Sequence, residues 1–226
     1  MKINVLGKGF VELIDSMPRE NMDLRVVECA RTSFDGELYG DERDYKLLKY
    51  LIDHKELAPL EHCKMTIRVK APLFVARQWM RYRANAYSEM SLRYTEAQED
   101  EYYVPFQWRL QSKSNKQGSS DEQLLDTDAL MLYGIYYDAI ETAFDGYKSA
   151  LAFGVAREQA RLLLPAFALY TTFVYTTDLR NVLHFLTERL DSHAQWEMQQ
   201  YAKAVLQIVR TLAPKTIEYS GLFEGV

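Results

Sequence analysis

The chain has 226 residues, 48% of them apolar and 26% charged, with a formal net charge of −5. This is enough length for one well-packed core in an ordinary globular composition. The negative balance argues against broad nucleic-acid or membrane binding, which needs a large positive field, but leaves room for a small anion held by a local cluster. Two cysteines, Cys29 and Cys63, make neither a disulfide framework nor a metal quartet. MKINVLGKGF is too polar and glycine-broken for a secretory signal, and no apolar run approaches the roughly 20 residues of a membrane span. The expectation is a soluble, cytoplasmic, reduced protein.

In chain order, KINVLGKGFVELIDSM predicts two short strands around a Gly-Lys-Gly turn, and RVVECARTSF a short helix. Residues 41–53 place Tyr45, Leu48 and Ile52 on one helical face with acids in the first turn. From Cys63 to Lys70 the pattern alternates, with Cys63, Met65, Ile67 and Val69 on one side of a half-buried strand that Pro72 ends. LFVARQWMRYR resumes helical spacing to Arg83, after which the pattern dissolves into a loop. Residues 111–121 form the one low-complexity patch, an exposed loop. From 122 to 211 the chain reads as mostly helical. Ser192 and Gln195 suggest a capping box before the last long helix, which Pro214 closes. Early strands and late helices favour an α+β arrangement in one domain.

Cys63 beside His62 suggests a nucleophile, but the alternation points the thiol into the core, so a buried, inert cysteine is the better reading. The four histidines are scattered and make no His-Glu-x-x-His, and the ten glycines make no dinucleotide or Walker-type loop. A nucleotide here would be held by side chains. Arg77, Arg81, Arg83 and Arg93 crowd one run, while Arg157, Arg161, Arg180 and Arg189 lie among apolar segments. Guanidinium groups match phosphate and keep their charge when half-buried. On these residues alone two readings stay open: salt bridges to Glu61, Glu89, Asp178, Glu188 or Glu197, or an anionic ligand.

RYRANAYSEMSLRY resembles the signature of flavin-dependent thymidylate synthases: Arg-His-Arg, seven residues, Ser, then Arg-Tyr. Arg81, Arg83, Ser91, Arg93 and Tyr94 match it, and Glu89 falls where that family has Glu. KGFVELIDSM, ARTSF, KAPLFVARQWMRYR, AREQARLLLP and LRNVLHFLTERLDSHAQWEMQQYA resemble family blocks in the right order. The resemblance implies a methyltransferase that makes dTMP from dUMP, taking carbon from methylenetetrahydrofolate and hydride from NADPH-reduced FAD, without a cysteine nucleophile or a metal. It implies a twisted, largely antiparallel sheet flanked by helices, a long C-terminal helical half, and a homotetramer whose active sites are shared between subunits.

Carried onto this chain, the resemblance gives dUMP contacts to Gln78, Trp79, Met80, Arg81, Glu89, Met90, Ser91, Leu92, Arg93, Arg161 and Arg189. Arg189, at the uracil N3/O4 edge, and Ser91, near the pyrimidine, are the catalytic pair. FAD would meet Ala58, Arg81, Tyr82, Arg83, Glu89, Asp178, Leu179, Arg180 and His184. The chain departs from the family pattern where Tyr82 replaces the signature histidine, Asp178 stands where Asn is common, and Glu56 and Ala58 replace a histidine and a hydroxyl residue. Two other readings stand beside the active enzyme: a catalytically silent nucleotide or flavin binder on the same scaffold, and a helical interaction protein whose arginines are internally paired.

Overall fold

The computed structural model describes residues 1–221. The elements are β1 (Lys2–Val5), β2 (Gly9–Met17), α1 (Met22–Arg31), α2 (Glu42–Asp53), β3 (Lys64–Pro72), α3 (Leu73–Trp79), β4 (Ala86–Glu89), β5 (Arg109–Gln111), β6 (Ser119–Gln123), α4 (Asp126–Ala152), α5 (Arg157–Ala160), β7 (Tyr170–Asp178), α6 (Leu179–Arg189), α7 (Trp196–Leu212) and α8 (Pro214–Ser220). Five strands form an antiparallel sheet in the order β1-β2-β3-β7-β4.

The sheet has one covered and one open face, as antiparallel sheets allow. Ile67 lies opposite Tyr175 and Val69 opposite Phe173, and all four are buried with Met65 and Val11. On the other face Thr66 and Thr176 share a 3.0 Å hydrogen bond, Arg68 pairs with Glu12 at 2.7 Å, and Val174 stays exposed. Helices cover the buried face through one indole. Trp79 of α3 stacks on Phe185 of α6 at 4.7 Å and meets Phe173, Tyr175 and Tyr201 edge-on. The Tyr201 hydroxyl of α7 donates to the Lys70 carbonyl at 2.9 Å. The β2 backbone runs so close below that a Cβ on Gly9 would overlap Tyr201 and lie 2.6 Å from the Val5 carbonyl oxygen. Glycine is required there by proximity. A second, smaller cluster (Ile140, Phe144, Tyr147, Leu164, Leu169) lies under α4.

The predicted strands at 2–17 and 64–72 and the helix at 42–53 are present; in that helix Asp41 caps by accepting from the Arg43 N–H at 2.9 Å. Four expectations are corrected. The helix expected to run through Arg83 ends at Trp79 and continues as a turn, with the Arg81 N–H donating to the Gln78 carbonyl and the Tyr82 N–H to the Trp79 carbonyl. Part of the expected loop after Arg83 is β4, an edge strand on β7. The low-complexity patch, expected as an exposed loop, lies at the tip of the β5–β6 hairpin. The mostly helical C-terminal half is interrupted by β7, whose β-branched and aromatic YTTFVYTTD sits between β3 and β4. The Ser192–Gln195 capping box does not form: Gln195 precedes α7 without a side-chain cap, because its amide is bonded to Gln78 and Glu197.

Candidate functional site

Asp178, the last residue of β7, caps α6: its carboxylate accepts from the Asn181 N–H and side-chain amide, both at 2.8 Å, and from Lys64 at 3.3 Å. The charge that the sequence puts at this position is thus met by a helix N-terminus and a lysine. From that cap α6 turns Val182, Phe185 and Leu186 into the core and Arg180, His184 and Glu188 outward, at four-residue spacing.

The turn after α3 brings a second set of side chains against this outward face. Arg81, Tyr82, Arg83, His184, Glu188 and Arg189 line one cleft. Glu61, Asp178, Arg180, Asn181 and His184 line an adjoining one of about 880 Å³, with apolar walls from Ile52, Leu57 and Leu183. Arg180 pairs with Glu61. Among the described residues neither Arg81 nor Arg83 has an acidic partner. Arg189, at the end of α6, has its guanidinium 5.2 Å above the Tyr82 ring and 3.8 Å from Glu188, while its Nε is buried without a hydrogen-bond partner. Burial, and then the bond to Glu188, push the Tyr82 phenol well above its usual pKa, so it stays protonated at neutral pH. The arrangement is a cationic cleft with an apolar floor, suited to an anion carrying an aromatic ring.

A separate cleft of about 510 Å³ lies where β4 leaves β7, lined by Glu89, Met90, Ser91, Leu92, Arg161 and Thr171. Thr171 donates to the Glu89 carboxylate at 2.7 Å, and the Met90 N–H donates to the Thr172 carbonyl at 2.9 Å. Ser91 Oγ accepts from the Arg93 N–H at 3.2 Å. Arg93 and Arg161 bracket Glu158, the first through its carboxylate at 3.4 Å and the second through its carbonyl at 3.2 Å. One chain therefore brings Arg81, Tyr82, Arg83, His184 and Arg189 together, joins Glu89 through Leu92 to Arg161, and leaves these two groups in different clefts.

Other residues fall outside both groups. Trp79 and Leu179, expected at the nucleotide and FAD sites, have their side chains fully buried in the core. Met80 packs half-buried on that core. Gln78 bonds Gln195, whose amide donates to Glu197 at 3.0 Å. Ala58 opens the 3₁₀ turn (Ala58–His62) that carries Glu61. Cys63 is fully buried with its thiol 3.5 Å from the Met22 carbonyl, and burial pushes its pKa up to about 12. No group of three or more metal-binding side chains occurs among the described residues. Sequence reasoning left Glu188 as a salt-bridge candidate. Its position four after His184 and eight after Arg180, on the same helical face, was the signal that would have placed it in the cleft.

Known proteins share the sequence and fold of this chain. The Thy1 family, thymidylate synthase complementing protein, matches residues 12–215. The flavin-dependent thymidylate synthase of Thermosipho melanesiensis is 41% identical over 220 residues, covering 96% of this chain and 93% of the relative. The enzyme of the same name from Thermus thermophilus is 42% identical over 214 residues, covering 95% of this chain and 76% of the relative. Among solved structures, the UMP/dUMP methylase PolB from Streptomyces cacaoi, bound with 5-Br dUMP, superposes with a TM-score of 0.84 at 32% identity over 98% of each chain. The chain belongs to the family of flavin-dependent thymidylate synthases.

Proposed function

We propose that the protein converts dUMP to dTMP by reductive methylation, with methylenetetrahydrofolate as the carbon source and NADPH as the source of electrons. The carbon arrives at the formaldehyde level, so making a methyl group needs two electrons, which a bound FAD relays from NADPH. The residues present fit such a group. Arg81, Arg83, Arg180, Asn181 and His184 supply donors for an anionic dinucleotide, and Ile52, Leu57 and Leu183 supply apolar walls.

The observation that carries the reading is the cationic cleft, in which, among the described residues, Arg81 and Arg83 lack carboxylate partners and Arg189 has Glu188 as its acidic neighbour, at 3.8 Å. An acceptor oxygen of a pyrimidine meets the Nη groups of Arg189. The guanidinium then stabilises negative charge developing on the ring, which does the work of covalent thiolate attack. Ser91, with Glu89, Met90, Leu92, Arg93 and Arg161, serves the nucleotide from the other cleft.

Because those residues stand apart from Arg189 in one chain, the complete site is formed between copies, and we assign a homotetramer. Leu130, Met131 and Ile135 of α4, with Phe153 and Phe167, support this: each is more than half exposed, an amount of bare apolar surface that marks association.

The test is flavin absorbance of the purified protein after added FAD, followed by tritium release from 5-labelled dUMP with each co-substrate omitted in turn. UMP is run beside dUMP, because PolB has also been solved with 5-Br UMP. Flavin binding and tritium release dependent on both folate and NADPH are the expected result. Tight dUMP binding with no dTMP formed would replace this reading with the silent binder.

A further inference from the structure

The family signature has histidine where this chain has Tyr82, and the structure shows what the phenol does. The Tyr82 hydroxyl donates to Glu188 Oε2 at 2.5 Å, and the same oxygen lies 3.8 Å from Arg189 Nη2. The other oxygen of Glu188 lies 3.5 Å from His184 Nε2. The Tyr82 ring is wedged edge-on against Phe185 at 5.1 Å and against His184 at 5.8 Å, and carries the Arg189 guanidinium over its face. Its backbone is held as firmly: the N–H donates to the Trp79 carbonyl at 3.1 Å, and its carbonyl accepts from the Asn85 amide and the Tyr87 hydroxyl, both at 2.9 Å. The ring is thus anchored to the core, whereas Arg189 is a long side chain at a helix end with many rotamers to lose.

We propose that Tyr82 and Glu188 form a clamp that positions the Arg189 guanidinium, the ring fixing its height and the carboxylate its direction, so that its Nη groups are held toward the substrate. Both are positioning residues acting through Arg189. The inference rests on the dUMP-methylating reading for its functional consequence and on the geometry alone for the clamp. A protonated phenol suits the task because it can donate only one way, to Glu188. Without the carboxylate the guanidinium has the ring face but no fixed rotation about it. Without the ring it has an ion pair but no floor. The two contacts are complementary, and together they account for a tyrosine and a glutamate standing beside the same arginine.

The experiment has two arms on the full-length protein. In the first, the ring-current shift of the Arg189 Nε–H proton is read by NMR, assigned by its loss in Arg189→Lys. It is expected to persist in Tyr82→Phe and to vanish in Tyr82→Leu. In the second, dUMP affinity and kcat/KM are measured for Tyr82→Leu, Tyr82→Phe and Glu188→Gln, each with and without Arg189→Ala. The expected loss is about tenfold for Tyr82→Leu and about threefold for the other two, the range of a half-buried cation–π or charged contact. In the Arg189→Ala background each falls within about twofold of that parent, as a double-mutant cycle requires of residues acting through one another. An unchanged shift in Tyr82→Leu, or equal losses in both backgrounds, overturns the clamp. Wild-type protein that makes no dTMP overturns the function instead, and the NMR arm still judges the clamp.

Discussion

Replacing Cys29 and Cys63 together by alanine should leave dTMP formation within about twofold, because the mechanism uses no sulfur nucleophile. Cys63 lies wholly inside the core at the start of β3, its thiol against the Met22 carbonyl and its own carbonyl bonded by the Leu179 N–H at 2.9 Å. With burial pushing the thiol to about 12, the thiolate fraction at pH 7 is on the order of 10⁻⁵. Cys29, half-buried on α1, is also raised by burial. The cost falls on stability: removing one buried sulfur leaves a small void worth about 1 kcal/mol, or about 2–4 °C in Tm for a protein of this size. The assay is tritium release under saturating substrates, run beside a thermal melt and far-UV circular dichroism. A fall in kcat of tenfold or more with an unchanged spectrum and a melt shifted only by that amount would refute the reasoning and return Cys63 to the active site.

Arg189→Lys keeps the charge but loses the planar fork and the Nε donor, and should lower kcat by about 10- to 100-fold with the fold intact, as steady-state kinetics would show. Asp44→Asn tests a buried ion pair. That carboxylate takes Arg31 at 2.7 Å and the N–H groups of Tyr39 and Gly40 at 3.0 and 2.8 Å. Burial works against its ionisation, but the Gly40 and Tyr39 N–H groups and Arg31 outweigh it and hold the pKa below the usual value. The variant should lose about 3 kcal/mol in urea unfolding at pH 7. A depressed folded pKa gives stability that is full above the unfolded value and lost as pH falls through the folded one, so the gap between wild type and variant should begin to close only below about pH 4 and vanish once the pH is under the folded value. Gly9→Ala should cost at least about 2 kcal/mol, because the new Cβ pushes Tyr201 off the Lys70 carbonyl. Asp178→Ala should cost about 1–2 kcal/mol through the lost helix cap, read as a lower Tm.

β3 was legible because lysines, threonine and arginine alternate with apolar residues along it. β7 was not, although it pairs with β3 along its whole length: its inward positions include Thr171 and Thr177, both buried, so a polar letter stands where the core face should show. β4 was missed because an edge strand of four residues with mostly exposed side chains has no inward period. Helical spacing over-extended α3, because past Trp79 the backbone tightens to a turn while the side-chain spacing still reads as helical. The arginines of the cleft were legible as chemistry. Their partition between two clefts was not, because it depends on which side of β4 each residue emerges. A contiguous motif block carries Trp79 along with its neighbours, although on α3 its side chain turns into the core.

The geometry of α6 decouples two kinds of evolutionary drift. Residues at 182, 185 and 186 are confined by aromatic and aliphatic neighbours, while 180, 184 and 188 face Glu61 and Tyr82 on the other side of the same rod. Exchange of a cleft residue therefore leaves the interior undisturbed, and a lineage can trade one means of holding a cation for another without refolding. Tyrosine at 82, where the family signature has histidine, faces that outer side from the turn after α3, so it could be exchanged without touching the hidden side of the helix.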